Sequence, residues 1–166
     1  MKRGLFTIIL VLCMGIVFCQ GVQKVNLYNP AENARDAIHR KINEAKSAGK
    51  YVFIQVGSNA CIWCLRFHSF ITTDKQVDSI FRANYVIYHL NANTDNPNEK
   101  LLATYRYPQR FGYPVFLILD GKGELLHTQN SAYLEAGVGY NRQAVIEFLT
   151  QWSPKALDPA QYKQQK

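Results

Sequence analysis

The feature that most constrains this chain is a short apolar run that ends in a turn and is followed at once by two cysteines. Tyr51 to Val56 reads YVFIQV, aromatic and β-branched, short for a helix and apolar enough for a strand with a buried face. Gly57-Ser58-Asn59 supplies the turn. Cys61-Ile62-Trp63-Cys64 then opens a segment, Ile62 to Phe70, patterned as a helix. The pair is therefore expected at a strand-to-helix junction. A helix start offers unpaired backbone N–H groups and a partial positive charge, and both favour a thiolate, the nucleophile of thiol–disulfide exchange. Cys61 at the mouth is expected to react, and Cys64, one turn in, to be sheltered. Two cysteines at this spacing carry little meaning alone and considerably more inside a βα unit.

The rest of the chain alternates in the same way. Asn29-Pro30 with Glu32 reads as a helix start, Ala34, Ile38, Ile42 and Ala45 recur at helical spacing, and Gly49 is a stop. Thr73-Asp74 restarts a helix after the cysteine segment, with Asp74 as a cap, and Tyr85 to Leu90 is a second strand. Asn91 to Asn98 is a loop, from which Pro97 opens a helix carrying Leu101, Leu102 and Tyr105. Val115 to Leu119 is a third strand, joined through Asp120-Gly121-Lys122-Gly123 to a fourth at Glu124 to His127. Asn141 caps a last helix with Val145, Phe148, Leu149 and Trp152 on one side. This α-β-α-β-α-β-β-α order implies parallel pairing early in a sheet and an antiparallel hairpin at its end.

Ahead of this domain, Lys2 and Arg3 precede an apolar run from Leu5 to Cys19, shorter than the roughly 20 residues of a membrane span and laid out like a signal peptide. The expected organisation is a signal peptide at 1–20, a linker at 21–30, a domain at 31–153 and a polar, frayed tail at 154–166. Cleavage would fall after Cys19 or Gly21; a retained anchor and a lipidated Cys19 are the alternatives, and only these would bring the protein to a membrane. The leader holds Cys13 and Cys19 of the four cysteines, which leaves Cys61 and Cys64 in an exported, periplasmic or secreted chain. With 48% hydrophobic and 19% charged residues, the 166-residue chain is no disordered segment. The net charge of +7 includes the two leader charges and forms no basic stripe, so nucleic acid is not an expected partner.

Four segments together resemble the thioredoxin superfamily: YVFIQV, CIWC, the strand ending in HLNAN, and Phe111-Gly112-Tyr113-Pro114-Val115. The resemblance runs from Ala31 to Trp152. LRFHSFITTDKQVDSIFRANYVIYHLNAN and GVGYNRQAVIEFLTQW are similar to its extracytoplasmic branch. It implies an α/β thioredoxin fold, a central mixed sheet flanked by helices, and thiol–disulfide exchange with protein clients through Cys61 and Cys64. An upstream redox partner is implied, and no metal or organic cofactor. It also implies a cis Tyr113-Pro114 bond facing the cysteines, with the Tyr113 backbone offered to a client strand. Trp63, in an exposed motif, is expected to contact the client rather than join the core.

The departures from the family pattern bear on redox poise. Gln55 stands where the family carries a buried acid, Ala60 replaces a tryptophan, and Ile62-Trp63 replaces Gly-Pro. A backbone N–H on Trp63 and the loss of a buried negative charge both favour the thiolate, which places the expected potential between about −250 and −190 mV. These residues leave the direction of electron flow open.

Two further readings compete. A Cu(I)- or Zn-binding protein would use Cys61, Cys64 and His68, four residues further along the same helical face. A redox-inactive interaction domain would keep only the fold. Attachment of a c-type haem is excluded, because Leu65 and not histidine follows Cys64. His89, at the end of a strand, reads as structural and Arg66 as solvated. Of Tyr105, Tyr107, Phe111 and Tyr113, at least two are expected in the core.

Overall fold

A strand covered on both faces must be apolar along its whole length, and two segments here meet that condition. They are β1 (Tyr51–Gly57), interrupted only by Gln55, and β3 (Val115–Leu119), buried throughout. The computed structural model describes residues 26–163 and pairs these two antiparallel at its centre, with Val56 opposite Val115. β2 (Tyr85–Asn91) runs parallel to β1 on one side, and β4 (Leu125–Asn130) is antiparallel to β3 on the other, giving the order β2-β1-β3-β4. The expected leader, with Cys13 and Cys19, lies outside the described residues.

Helices cover both faces. Val52, Ile54 and Val56 join Ala34, Ala37 and Ile38 of α1 (Ala34–Ala48) and Leu101 and Leu102 of α4 (Glu99–Thr104). On the opposite face Phe53 packs with α2 (Ile62–Thr73), α3 (Lys75–Asn84) and α5 (Arg142–Gln151) through Phe67, Phe81 and Phe148. Ring centroids of Phe53 lie 5.9, 4.8 and 6.0 Å from those three, within the range in which aromatic pairs attract. The result is the expected thioredoxin fold.

Some boundaries differ from the sequence reading. α1 is capped by Asn33, whose side chain accepts from the Arg35 and Asp36 amides; Asn29 instead closes a turn by accepting from Ala31 N–H at 3.0 Å. Both asparagines meet the chemistry of a cap, and the apolar face that needs helix begins only at Ala34. Gly49 ends the helix with φ 65°, as its position suggests. α2 continues to Thr73, and Asp74 serves both as its C-cap and as the N-cap of α3, where it also binds Arg142 at 2.6 Å. α4 starts after Asn98, leaving Pro97 outside it.

Other features were not expected. A small hairpin, β5 (Glu135–Ala136) and β6 (Gly139–Tyr140), follows a one-turn helix at Ser131–Leu134. The polar tail folds a further single turn, Pro159–Tyr162, capped by Asp158, rather than fraying at Pro154. Residues 26–30, read as linker, belong to the domain. Asn59 Oδ1 accepts from Leu27 N and Tyr28 N at 2.9 and 3.0 Å, its amide donates to Tyr28 O, and Tyr28 is buried at 2% exposure.

Candidate active site

Cys61 is the N-cap of α2, in extended conformation, and its Sγ accepts the Cys64 backbone N–H at 3.2 Å. The two cysteines form a disulfide, with Cα atoms 5.2 Å apart. Cys61 is half-buried and Cys64 has no exposed surface. A helix N-terminus directing an amide at Cys61 Sγ stabilises negative charge there once the bond opens. The donor is Cys64 N–H, not the Trp63 N–H on which the sequence reading relied. The case for a raised potential accordingly rests on Gln55.

Trp63 is half-buried rather than open. Its ring meets Tyr140 edge-on at 5.8 Å, Tyr140 Oη donates to Trp63 O at 3.1 Å, and the Arg66 guanidinium lies 4.8 Å over the indole. Arg66 is thus engaged and not simply solvated. The β5–β6 hairpin, through Tyr140, braces the first turn of α2. Ile62, at 55% exposure, is the apolar side chain of the motif most open to solvent.

The Tyr113–Pro114 bond is cis. The β1–β3 register, continued one residue past Val56 and Val115, sets Pro114 beside Gly57 at the cysteine end of the sheet. Pro114 is buried and Tyr113 is 40% exposed. The preceding loop turns through left-handed Arg106 and Tyr107, whose carbonyls accept from the Arg110 guanidinium. Tyr107, Phe111 and Tyr113 are all exposed, and only Tyr105 packs on the core, contrary to the expectation of two core aromatics. The Arg110 guanidinium also lies 4.1 Å over the exposed Phe111 ring.

Beneath the disulfide lies a polar group that the sequence reading missed in part. Gln55 is fully buried, and its amide donates to Tyr28 Oη at 2.8 Å and to Cys64 O at 2.9 Å. Its register partner His89 faces Tyr28 edge-on at 5.4 Å and His68 at 5.5 Å. Gln55 Oε1, His68 Nδ1 and His89 Nε2 find no hydrogen-bond partner among the described residues. Burial, then His68, pushes the His89 pKa down to about 4, and burial lowers that of His68. Burial raises the Tyr28 hydroxyl far above its ordinary range, so Tyr28 stays neutral and can donate but not act as a base.

Gly57 explains how these groups fit. A Cβ there would lie 2.4 Å from Cys64 Sγ and 2.8 Å from Tyr28 Oη, so both atoms occupy the space that any side chain would fill. The sequence hint was available: a lone tyrosine in a polar segment, and a glycine ending the strand before the cysteines. No spacing rule joins residues so far apart. His68 turns toward His89, and among the described residues no group of three or more His, Cys, Asp or Glu is placed to hold a metal ion. The Cys61, Cys64 and His68 metal set is therefore unsupported.

Residues 38–136 match the thioredoxin-like domain family. Among solved structures, the disulphide isomerase of Xylella fastidiosa Temecula1 superposes with a TM-score of 0.65 at 15% identity, over 75% of this chain and 94% of that one. A thioredoxin from Thermus thermophilus superposes with a TM-score of 0.53 at 21% identity, over 77% and 92%. At these identities the likeness is one of fold. None of the curated proteins compared with the sequence matches it.

Proposed function

This chain belongs to the thioredoxin-like domain family, and from that premise we propose that it is an exported thiol–disulfide oxidoreductase acting on protein clients. The observation that carries the reading is the asymmetry of the pair: a half-buried Cys61 receiving an amide hydrogen bond at a helix start, bonded to a fully buried Cys64. In the reducing direction, the Cys61 thiolate attacks a client disulfide and one client sulfur leaves as thiolate. Cys64 then attacks Cys61 Sγ, the second client sulfur leaves, and two electrons have passed to the client. Run backwards, the same steps place a disulfide in the client. An upstream redox partner resets the pair, and the chemistry calls on no metal or organic cofactor.

Clients are proposed to lie along Tyr113, whose backbone pairs with an extended segment, with Trp63 and Ile62 supplying apolar contact. Export rests on the apolar leader, which points to a periplasmic or secreted protein. The test is the DTT-driven reduction of insulin, run beside metal analysis of the same reduced preparation. Wild type should accelerate insulin precipitation and Cys61→Ser should not. An inactive wild type carrying stoichiometric metal would overturn the proposal.

A further inference from the structure

The hydrogen bonds under the disulfide fix the polarity of Tyr28. The Gln55 amide nitrogen donates both to Tyr28 Oη and to Cys64 O; the second bond excludes the flipped amide, which would set two oxygens against each other. Tyr28 Oη is thus an acceptor toward Gln55, and its own O–H must point elsewhere. Gln55 Oε1 does not receive it. Cys64 Sγ meets the same spot above Gly57 as Tyr28 Oη, and while the disulfide is closed no hydrogen bond joins the two among the described residues.

We propose that the Tyr28 hydroxyl is the hydrogen-bond donor that stabilises the Cys64 thiolate during disulfide exchange, resting on the reading of Cys61 and Cys64 as an exchanging pair. When a client thiolate attacks Cys61 Sγ, the client–Cys61 bond forms and the Cys61–Cys64 bond breaks. Its electron pair leaves on Cys64 Sγ, where Tyr28 O–H meets it. In the reverse step the same contact holds Cys64 as an anion ready to attack Cys61 and release the client. Tyr28 keeps its proton throughout. The chain thereby supplies from residues 26–30 a polar group at the buried cysteine, while Gln55 orients it.

The test uses the full chain with Cys13→Ser, Cys19→Ser and Cys61→Ala, so that Cys64 is its single thiol, and reads the titration of Cys64 by thiolate absorbance. Tyr28→Phe keeps the ring and removes the donor. Losing a hydrogen bond to an anion should raise the Cys64 midpoint by about one to two pH units. Tyr85→Phe, which deletes a buried hydroxyl bonded to Leu149 O away from the site, should leave it in place. Gln55→Leu frees Cys64 O to compete for the hydroxyl and should also raise the midpoint; it decides the matter if Tyr28→Phe does not fold. An unchanged midpoint in a folded Tyr28→Phe or Gln55→Leu protein, or an equal shift in Tyr85→Phe, overturns the proposal. The oxidoreductase reading fails separately, on wild-type insulin reduction.

Discussion

Replacing Gly57 by alanine should weaken the disulfide form more than the dithiol form. The new Cβ would stand 2.4 Å from Cys64 Sγ and 2.8 Å from Tyr28 Oη, where ordinary carbon contacts lie near 3.5–4.0 Å. Neither neighbour yields easily, since Cys64 is bonded to Cys61 and Tyr28 is held by Gln55. Overpacking of this kind costs about 1–3 kcal/mol. Once the bond opens, Cys64 Sγ is no longer tethered to Cys61 and can shift to relieve the contact, so most of the cost falls on the oxidised form. With about 1.4 kcal/mol equivalent to 30 mV for a two-electron couple, the potential should rise by about 20–60 mV. For a chain of this length, 1 kcal/mol moves Tm by about 2–4 °C, so the oxidised protein should lose about 2–12 °C and the reduced protein less. Equilibration in glutathione buffers with acid-trapped thiols reads the potential, and calorimetry of both redox states reads the stability. An unchanged potential with equal losses of Tm in the two states would refute the reasoning.

Two other perturbations follow from the buried polar group. His89, with its pKa pushed down to about 4 against an unfolded value near 6.5, is protonated by the unfolded chain first; stability should therefore fall between those pH values, by up to about 3 kcal/mol. Urea unfolding at pH 7 and pH 4 should show that drop, and His89→Leu should flatten it; an equal drop in the variant would contradict the assignment. Gln55→Asp places a carboxylate beside Cys64 and Tyr28, and should raise the Cys64 pKa more than that of Cys61 and lower the potential from a wild-type value expected above about −270 mV. A potential that rises in this variant would show that the carboxylate does not act on the thiols.

Where one physical signal dominates, sequence and structure agree. The strands, the helix start at Cys61 and the Asp74 cap each rest on local patterning or capping chemistry, and each is found. Where two residues satisfy one rule, the reading slips: Asn29 and Asn33 are both good caps, and only the position of the buried face selects Asn33. The loop aromatics misled for a related reason, since composition does not say which ring of a loop meets the core: Tyr105 packs on it, while Phe111 lies under the Arg110 guanidinium. Tyr28 lay beyond reach because its partners, Asn59, Gln55 and the space over Gly57, are distant in sequence and meet only in the folded chain. The β5–β6 hairpin is too short to show a period, although Tyr140 braces Trp63 through it.

That Cys61 attacks and Cys64 resolves is tested most directly by trapping the mixed disulfide. Cys64→Ser protein, reduced and mixed with insulin, should accumulate a covalent complex whose peptide map places the client on Cys61, whereas Cys61→Ser should accumulate none. A client found on Cys64, or equal trapping by the two variants, would contradict the assignment.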